Sequence, residues 1–198
     1  MDREQNAQDA VADVLLIFAR LFDGPPPSAI AAVLVNDTLP RIRDLLGLEQ
    51  LHPPLAQEMF AAEYEPLFLL PTSMAVTPYL SQYLDPGTED DLPIKISTLS
   101  AATGIPWQKE SFIAGRAYPV FPDHLNCVFM FLAYLVSVDR SAEIAGVNAG
   151  EWLAVLLNMV TVGMARLCDH LYTIKGLYPA YNETALLAWQ YAHALNVL

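Results

Sequence analysis

The sequence predicts an all-α protein, a single-domain helical bundle of about eight or nine helices. Three observations lead there. Apolar residues recur at spacings of three and four through the long segments, the signature of helices with one buried stripe. Period-2 apolar runs bounded by turns, the mark of half-buried strands, are missing. The 198 residues are 54% hydrophobic and 16% charged, which suits one domain burying roughly 70% of its unfolded surface around one core.

From Asp9 to Phe22 the residues Val11, Val14, Leu15, Phe18, Leu21 and Phe22 form one stripe, stopped by Gly24 and Pro25 to Pro27. Ser28 is placed to cap a short helix carrying Ile30, Val33 and Leu34, and Thr38 another through Ile42, Leu45 and Leu46, ended by Gly47. Pro53 and Pro54 open a helix with Leu55, Met59, Ala62 and Leu67 near one stripe. Pro66 removes the amide that would bond the Ala62 carbonyl, so that helix should kink or end near Glu65. Residues 71–76 read as loop, and Thr77-Pro78 as the start of a short helix carrying Tyr79, Tyr83 and Leu84. Asp85 to Asp91 is an acidic, solvated loop. Pro93 begins a helix through Ile96 and Leu99, closed by Gly104. Pro106, Gly115, Pro119 and Pro122 punctuate an irregular connection, and a hinge is expected around 105–123. Then come helices from His124 to Val138, with Asp123 as cap or first-turn acid, from Ala149 to Leu171, and from the cap Asn182 through Leu186, Trp189 and Leu195.

Charge narrows the function classes. The net charge is -12 with only ten Lys and Arg, too few and too scattered to grip a phosphate backbone or an anionic membrane. Cationic partners are favoured instead. From Asp44 to Ile94 there is no Lys or Arg, while Asp44, Glu49, Glu58, Glu63, Glu65, Asp85, Glu89, Asp90 and Asp91 are present. Inside that acidic window lies the densest collection of aromatic, Leu and Pro residues in the chain, Tyr64 to Leu84. Such an element suits a basic, partly apolar peptide. The N-terminal residues show no secretory signal pattern. The longest uncharged runs, 125–138 and 152–165, are shorter than the roughly 20 apolar residues of a bilayer span and read as core helices. Two cysteines form no disulfide framework. A cytoplasmic protein without stable membrane insertion is expected.

Catalytic motifs are sparse. HExxH, GxSxG and phosphate-loop patterns are absent, and no motif calls for a cofactor. His124, Cys127, Cys168 and His170 are potential metal ligands. His124 and Cys127 share a helical face, but Cys168 and His170 point about 200° apart, which disfavours one site. A metal-dependent helical enzyme using them is therefore the alternative reading, beside a generic helical interaction module. Asp123-His124 could form an oriented acid-base pair, against the simpler role of helix cap. Tyr64, Phe68, Tyr79 and Tyr83 could each be core aromatics, yet hydroxyl-bearing rings crowded between prolines also suit a recognition groove.

The pattern Tyr64-x-x-Leu67-Phe68-x-x-Pro71, then Pro78-Tyr79-x-Ser81-x-Tyr83-Leu84, then Pro122-Asp123-His124-Leu125, resembles the TorD/DmsD/NarJ family of redox-enzyme maturation chaperones. Their order, separations and helical context agree, over about residues 55 to 138. The resemblance implies a non-enzymatic, all-α cytoplasmic chaperone. Its partners would be the twin-arginine leader and the apo form of a molybdopterin oxidoreductase catalytic subunit, held back until cofactor insertion and assembly. It implies a peptide-binding set of Tyr64, Leu67, Phe68, Pro71, Pro78, Tyr79, Tyr83, Asp123 and His124, the last two at the hinge between two halves. Phe121, Val128 and Met130 stand where the family often has acids. The long connection before Pro122 is compatible with a monomer or a domain-swapped dimer.

Overall fold

The computed structural model describes residues 2–51, 54–69, 75–88, 91–106, 110–113, 116–119, 121–174 and 177–197. Among them the architecture is the expected all-α single domain. Eight α-helices carry it: α1 (Asp2–Asp23), α2 (Ser28–Val33), α3 (Leu39–Leu45), α4 (Met59–Tyr64), α5 (Asp91–Thr103), α6 (Leu125–Ser137), α7 (Ala149–Thr173) and α8 (Pro179–Asn196). Helix α1 packs along α6, α7 along α8, and α6 against α7.

The core follows from composition. Helix α6 buries Leu125, Cys127, Val128, Phe129, Phe131, Leu132, Ala133 and Leu135 and so runs through the middle of the bundle. On α1 the stripe Ala12, Leu15, Phe18, Ala19 and Phe22 is buried against it, with Phe22 stacked on Phe129 at 5.9 Å and Phe18 tilted against the same ring at 5.8 Å. Each such fully buried side chain contributes roughly 1.5–3 kcal/mol. By length and composition α7 could cross a membrane, but half of its most apolar window is buried inside the bundle, as in a core helix.

Prolines shape the helices more than the anticipated caps do. Residues Ser28 to Leu45 form one helical run with a widened π turn at Leu34–Thr38, so Thr38 lies inside it and caps nothing. Pro27, not Ser28, occupies the position before the run. A second π turn, Glu65–Leu69, ends α4 and contains Pro66, which is the break expected there. Each widened turn lies within two residues of a proline, whose ring crowds the carbonyl four residues back and whose missing N–H leaves the α-helical bond unmade. Helix α4 begins at Met59 rather than at Pro54; Pro53 itself lies outside the described residues. Gly104, at φ +71°, closes α5 as expected, donating to the Ser100 carbonyl at 2.9 Å.

Two antiparallel hairpins depart from the strand-free expectation. Strands β1 (Glu110–Ile113) and β2 (Arg116–Pro119) pair Glu110 with Pro119 and Ile113 with Arg116, inside the stretch expected to be an irregular hinge. Strands β3 (Glu143–Ile144) and β4 (Val147–Asn148) are joined by Ala145 at φ +52° and Gly146 at φ +80°. Strands of two and four residues are too short to print a period in the sequence.

Candidate functional site

The peptide-binding residues expected from sequence gather in two clusters. Pro71 is the exception, lying outside the described residues.

The first cluster knots residues 77–85 to the start of α6. Tyr79 and His124 form an isolated antiparallel bridge, in which Leu80 N–H donates to the Asp123 carbonyl and Leu125 N–H to the Pro78 carbonyl, both at 2.9 Å. Ser81 Oγ donates to the buried Asp123 carboxylate, giving that charge the partner a buried anion needs. Asp123 is therefore not the helix cap. His124 is: its backbone is extended at φ -60° and ψ 136°, and Nδ1 accepts from Asn126 N–H at 3.2 Å. That bond needs Nδ1 unprotonated, and burial pushes the imidazole down to about 4, so His124 is neutral near pH 7 with its proton on Nε2. The Tyr79 ring stands edge-on to His124 at 5.4 Å and to the exposed Phe121 at 5.7 Å. Tyr83 OH donates to the Thr77 carbonyl at 3.1 Å. Arg166 of α7 ties down the far end, donating to the Tyr83 carbonyl at 3.2 Å and pairing with Asp85.

Close packing locks this knot to the bundle. The 3₁₀ turn Leu80–Tyr83 lies on α7 where Gly163 offers no side chain, and a Cβ there would sit 2.5 Å from Leu80 Cδ1. Sequence reading passed over Gly163 because a lone glycine in an apolar helix has no distinguishing pattern.

The second cluster is an aromatic layer around Tyr64, Phe68 and Tyr181, with ring centroids 5.1 Å, 5.2 Å and 5.7 Å apart. Phe60 and Phe22 close it at edge-on angles of 81° to Tyr181 and 80° to Phe68. The hydroxyls have structural partners. Tyr64 OH donates to the Phe22 carbonyl at 3.1 Å and Tyr181 OH to the Leu21 carbonyl at 3.3 Å, satisfying carbonyls that the end of α1 leaves open. Beneath them Glu63 caps α8 from a distance, its carboxylate accepting from Ala180 N–H at 3.0 Å and Tyr181 N–H at 3.1 Å. Burial pushes Glu63 up to about 7, and the two amide bonds act against that rise. Asn182, expected as the cap of α8, lies one turn inside it instead.

Of the sequence-predicted set, Tyr64 and Leu67 are buried at 2% and 0% exposure, and Pro78, Tyr83, Asp123 and His124 are also buried. Phe68 and Tyr79 are half-buried, and Phe121 beside Tyr79 is 56% exposed. The potential metal ligands stay apart: His124 caps α6, Cys127 is buried in it, Cys168 lines a groove, and His170 faces Tyr83 at 6.3 Å. No group of three such side chains gathers among the described residues.

Openings on the surface include a mixed cavity and an apolar groove. A mixed cavity of about 680 Å³ lies between the start of α1 and the end of α6, lined by Val11, Val136, Arg140 and Leu157. An apolar groove of about 470 Å³ lies between Leu51, residues 54–59 and the facing ends of α7 and α8, lined by Leu51, Leu55, Met59, Cys168, Leu171 and Leu186. Glu183, in its lining, forms a buried ion pair with Arg43 at 2.6 Å, and Arg43 Nε donates to the Glu49 carbonyl.

No curated protein and no solved structure matches the chain. A family model described as nitrate reductase delta subunit matches residues 31–172, which runs from the middle of α2 through almost all of α7 and takes in most of both clusters. The match extends on both sides of the Tyr64–Leu84 and Pro122–Leu125 motifs, and the chain belongs to the nitrate reductase delta subunit family, the NarJ/TorD-like redox-enzyme maturation chaperones.

Proposed function

We propose that the protein is a cytoplasmic chaperone that binds the twin-arginine leader of a molybdopterin-containing oxidoreductase subunit and assists cofactor insertion before export. Family membership supports the maturation role. The observation that carries leader recognition is the disposition of the acidic window. Asp44, Glu49, Glu58, Glu65, Asp85 and Asp91 are all exposed, and among the described residues only Asp85 is in an ion pair. Exposed acids without a cationic partner attract a leader's arginines and speed their encounter. The half-buried Phe68 and Tyr79, with Phe121 next to Tyr79, supply apolar contact. Tyr64, Leu67, Asp123 and His124 support the site from beneath, through the backbone bonds and packing that hold the two segments together.

Calorimetric titration with a synthetic twin-arginine leader tests this directly. Binding is expected to weaken as salt is raised and to fall at least 10-fold when both arginines become Gln, since each charge-assisted contact is worth roughly 1.5–3 kcal/mol. Equal affinity for the two peptides would sink leader recognition and leave the family role intact.

A further inference from the structure

The groove between Leu51, residues 54–59 and the ends of α7 and α8 contains an anomaly. Asn182 lines it, and its Oδ1 is buried with no hydrogen-bond partner. Buried polar atoms are nearly always paired, so an isolated acceptor in an otherwise apolar wall awaits a donor from outside. Glu183, next to it in the lining, offers no donor, being an acceptor already engaged by Arg43. Arg43 is itself shared between Glu183 and the Glu49 carbonyl.

The walls specify what enters. Leu51, Leu55, Met59, Leu171 and Leu186 offer aliphatic contact on two sides, and Tyr172, 65% exposed, stands at the rim. The volume suits several apolar side chains. Two acids adjoin the lining residues: Glu58 precedes Met59, Asp169 follows Cys168, and both are exposed. Residues 51–59 fall within the window that lacks Lys and Arg. The groove is built on α4 and α8, the same two elements that carry the aromatic layer.

We infer that this groove seats the apolar segment of a basic-flanked peptide, the leader of the proposed function, with Asn182 Oδ1 accepting a hydrogen bond from it. The inference rests on the leader-binding reading and adds a place and an anchoring residue to it. Apolar contact holds the segment, Asn182 fixes its register, and the acids at the rim receive its basic flank.

Titration of the full chain with the leader peptide, repeated on four variants, tests the assignment. Leu186→Gln is expected to weaken binding about 10-fold and Tyr172→Ala about 3-fold, the latter at an exposed position where folding is not at stake. Asn182→Leu is expected to weaken binding about 5-fold while the melting temperature holds or rises, because the unpartnered acceptor is gone. A merely structural asparagine would move the other way. Val155→Gln, at an exposed position of α7 more than two turns from the groove residues, is the control and should bind like the unmodified chain. If the unmodified chain binds leader and all three groove variants match it, the groove assignment falls and leader recognition stands. If the unmodified chain binds no leader, both fall. If Leu186→Gln instead turns a dimer into a monomer at unchanged leader affinity, the groove's occupant is a second copy and the assignment is overturned.

Discussion

The knot at the start of α6 and the aromatic layer beside α8 each bury a carboxylate, but they manage it differently. In the knot, Asp123 receives a side-chain hydroxyl from Ser81, and the charge sits beside a neutral imidazole that caps the helix. In the layer, Glu63 receives two backbone amides at a helix start, and burial still lifts it to about 7. The first is a local splice between two segments 42 residues apart, and the second joins residues 117 apart. The difference teaches that residues of the sequence motif also hold this chain's own backbone together: one group splices residues 77–85 to the start of α6, and the other joins α4 to α8.

The largest effect is expected just beyond the layer. Arg43→Met leaves Glu183 buried without its cation and should cost about 3–5 kcal/mol in chemical denaturation, whereas Arg43→Met with Glu183→Leu should recover most of it. Comparable losses for the single and double variants would show that the pair is not the source. In the knot, Gly163→Val drives a branched side chain into Leu80 and should cost about 1–3 kcal/mol, partly restored by Leu80→Ala. Failure of the second change to restore anything would separate Gly163 from the knot.

The two regions should also respond to pH with opposite signs. His124 has a folded-state pKa below its unfolded value, so its contribution is present above about 6.5 and is lost as pH falls toward 4. Glu63 has a folded-state pKa above its unfolded value, so its contribution is full below about 4.5 and is lost as pH rises through about 7. Between about pH 4.5 and 6.5 the two slopes oppose each other, so stability read from melting curves should fall as pH rises in His124→Asn and rise with pH in Glu63→Gln. Unchanged slopes in either variant would remove that group from the pH response. The smallest effect belongs to neither region and calibrates both: Ala145→Gly, which relieves a left-handed alanine in the β3–β4 turn, should raise stability by about 0.5–1 kcal/mol.

The helices were legible because the stripes of α1, α6 and α7 are long and unbroken by charge. Their ends were not. Ser28, Thr38, Asp123 and Asn182 all have cap-forming side chains, but a cap forms where the backbone turns, and tertiary packing chose Pro27, no break at all, His124, and the distant Glu63. The aromatic motif announced a special region, yet the sequence could not say which faces were exposed. The acceptors of Tyr64 and Tyr181 are carbonyls 42 and 160 residues away, and no local pattern encodes them. Ser81 stood within the recognised motif, whereas Glu63 and Tyr181 had only their identities to recommend them.

The bond from Glu63 to Ala180 and Tyr181 also orders events during synthesis. Glu63, Tyr64 and Phe60 leave the ribosome more than a hundred residues before their partners on α8, so the layer closes only when the last helix has emerged. Until then the Glu63 carboxylate lacks its two amide donors, and the Leu21 carbonyl of α1 lacks its hydroxyl. The nascent chain thus passes through a long interval in which the maturation chaperone is itself an unfinished client, and its completion is a single late step of long loop closure.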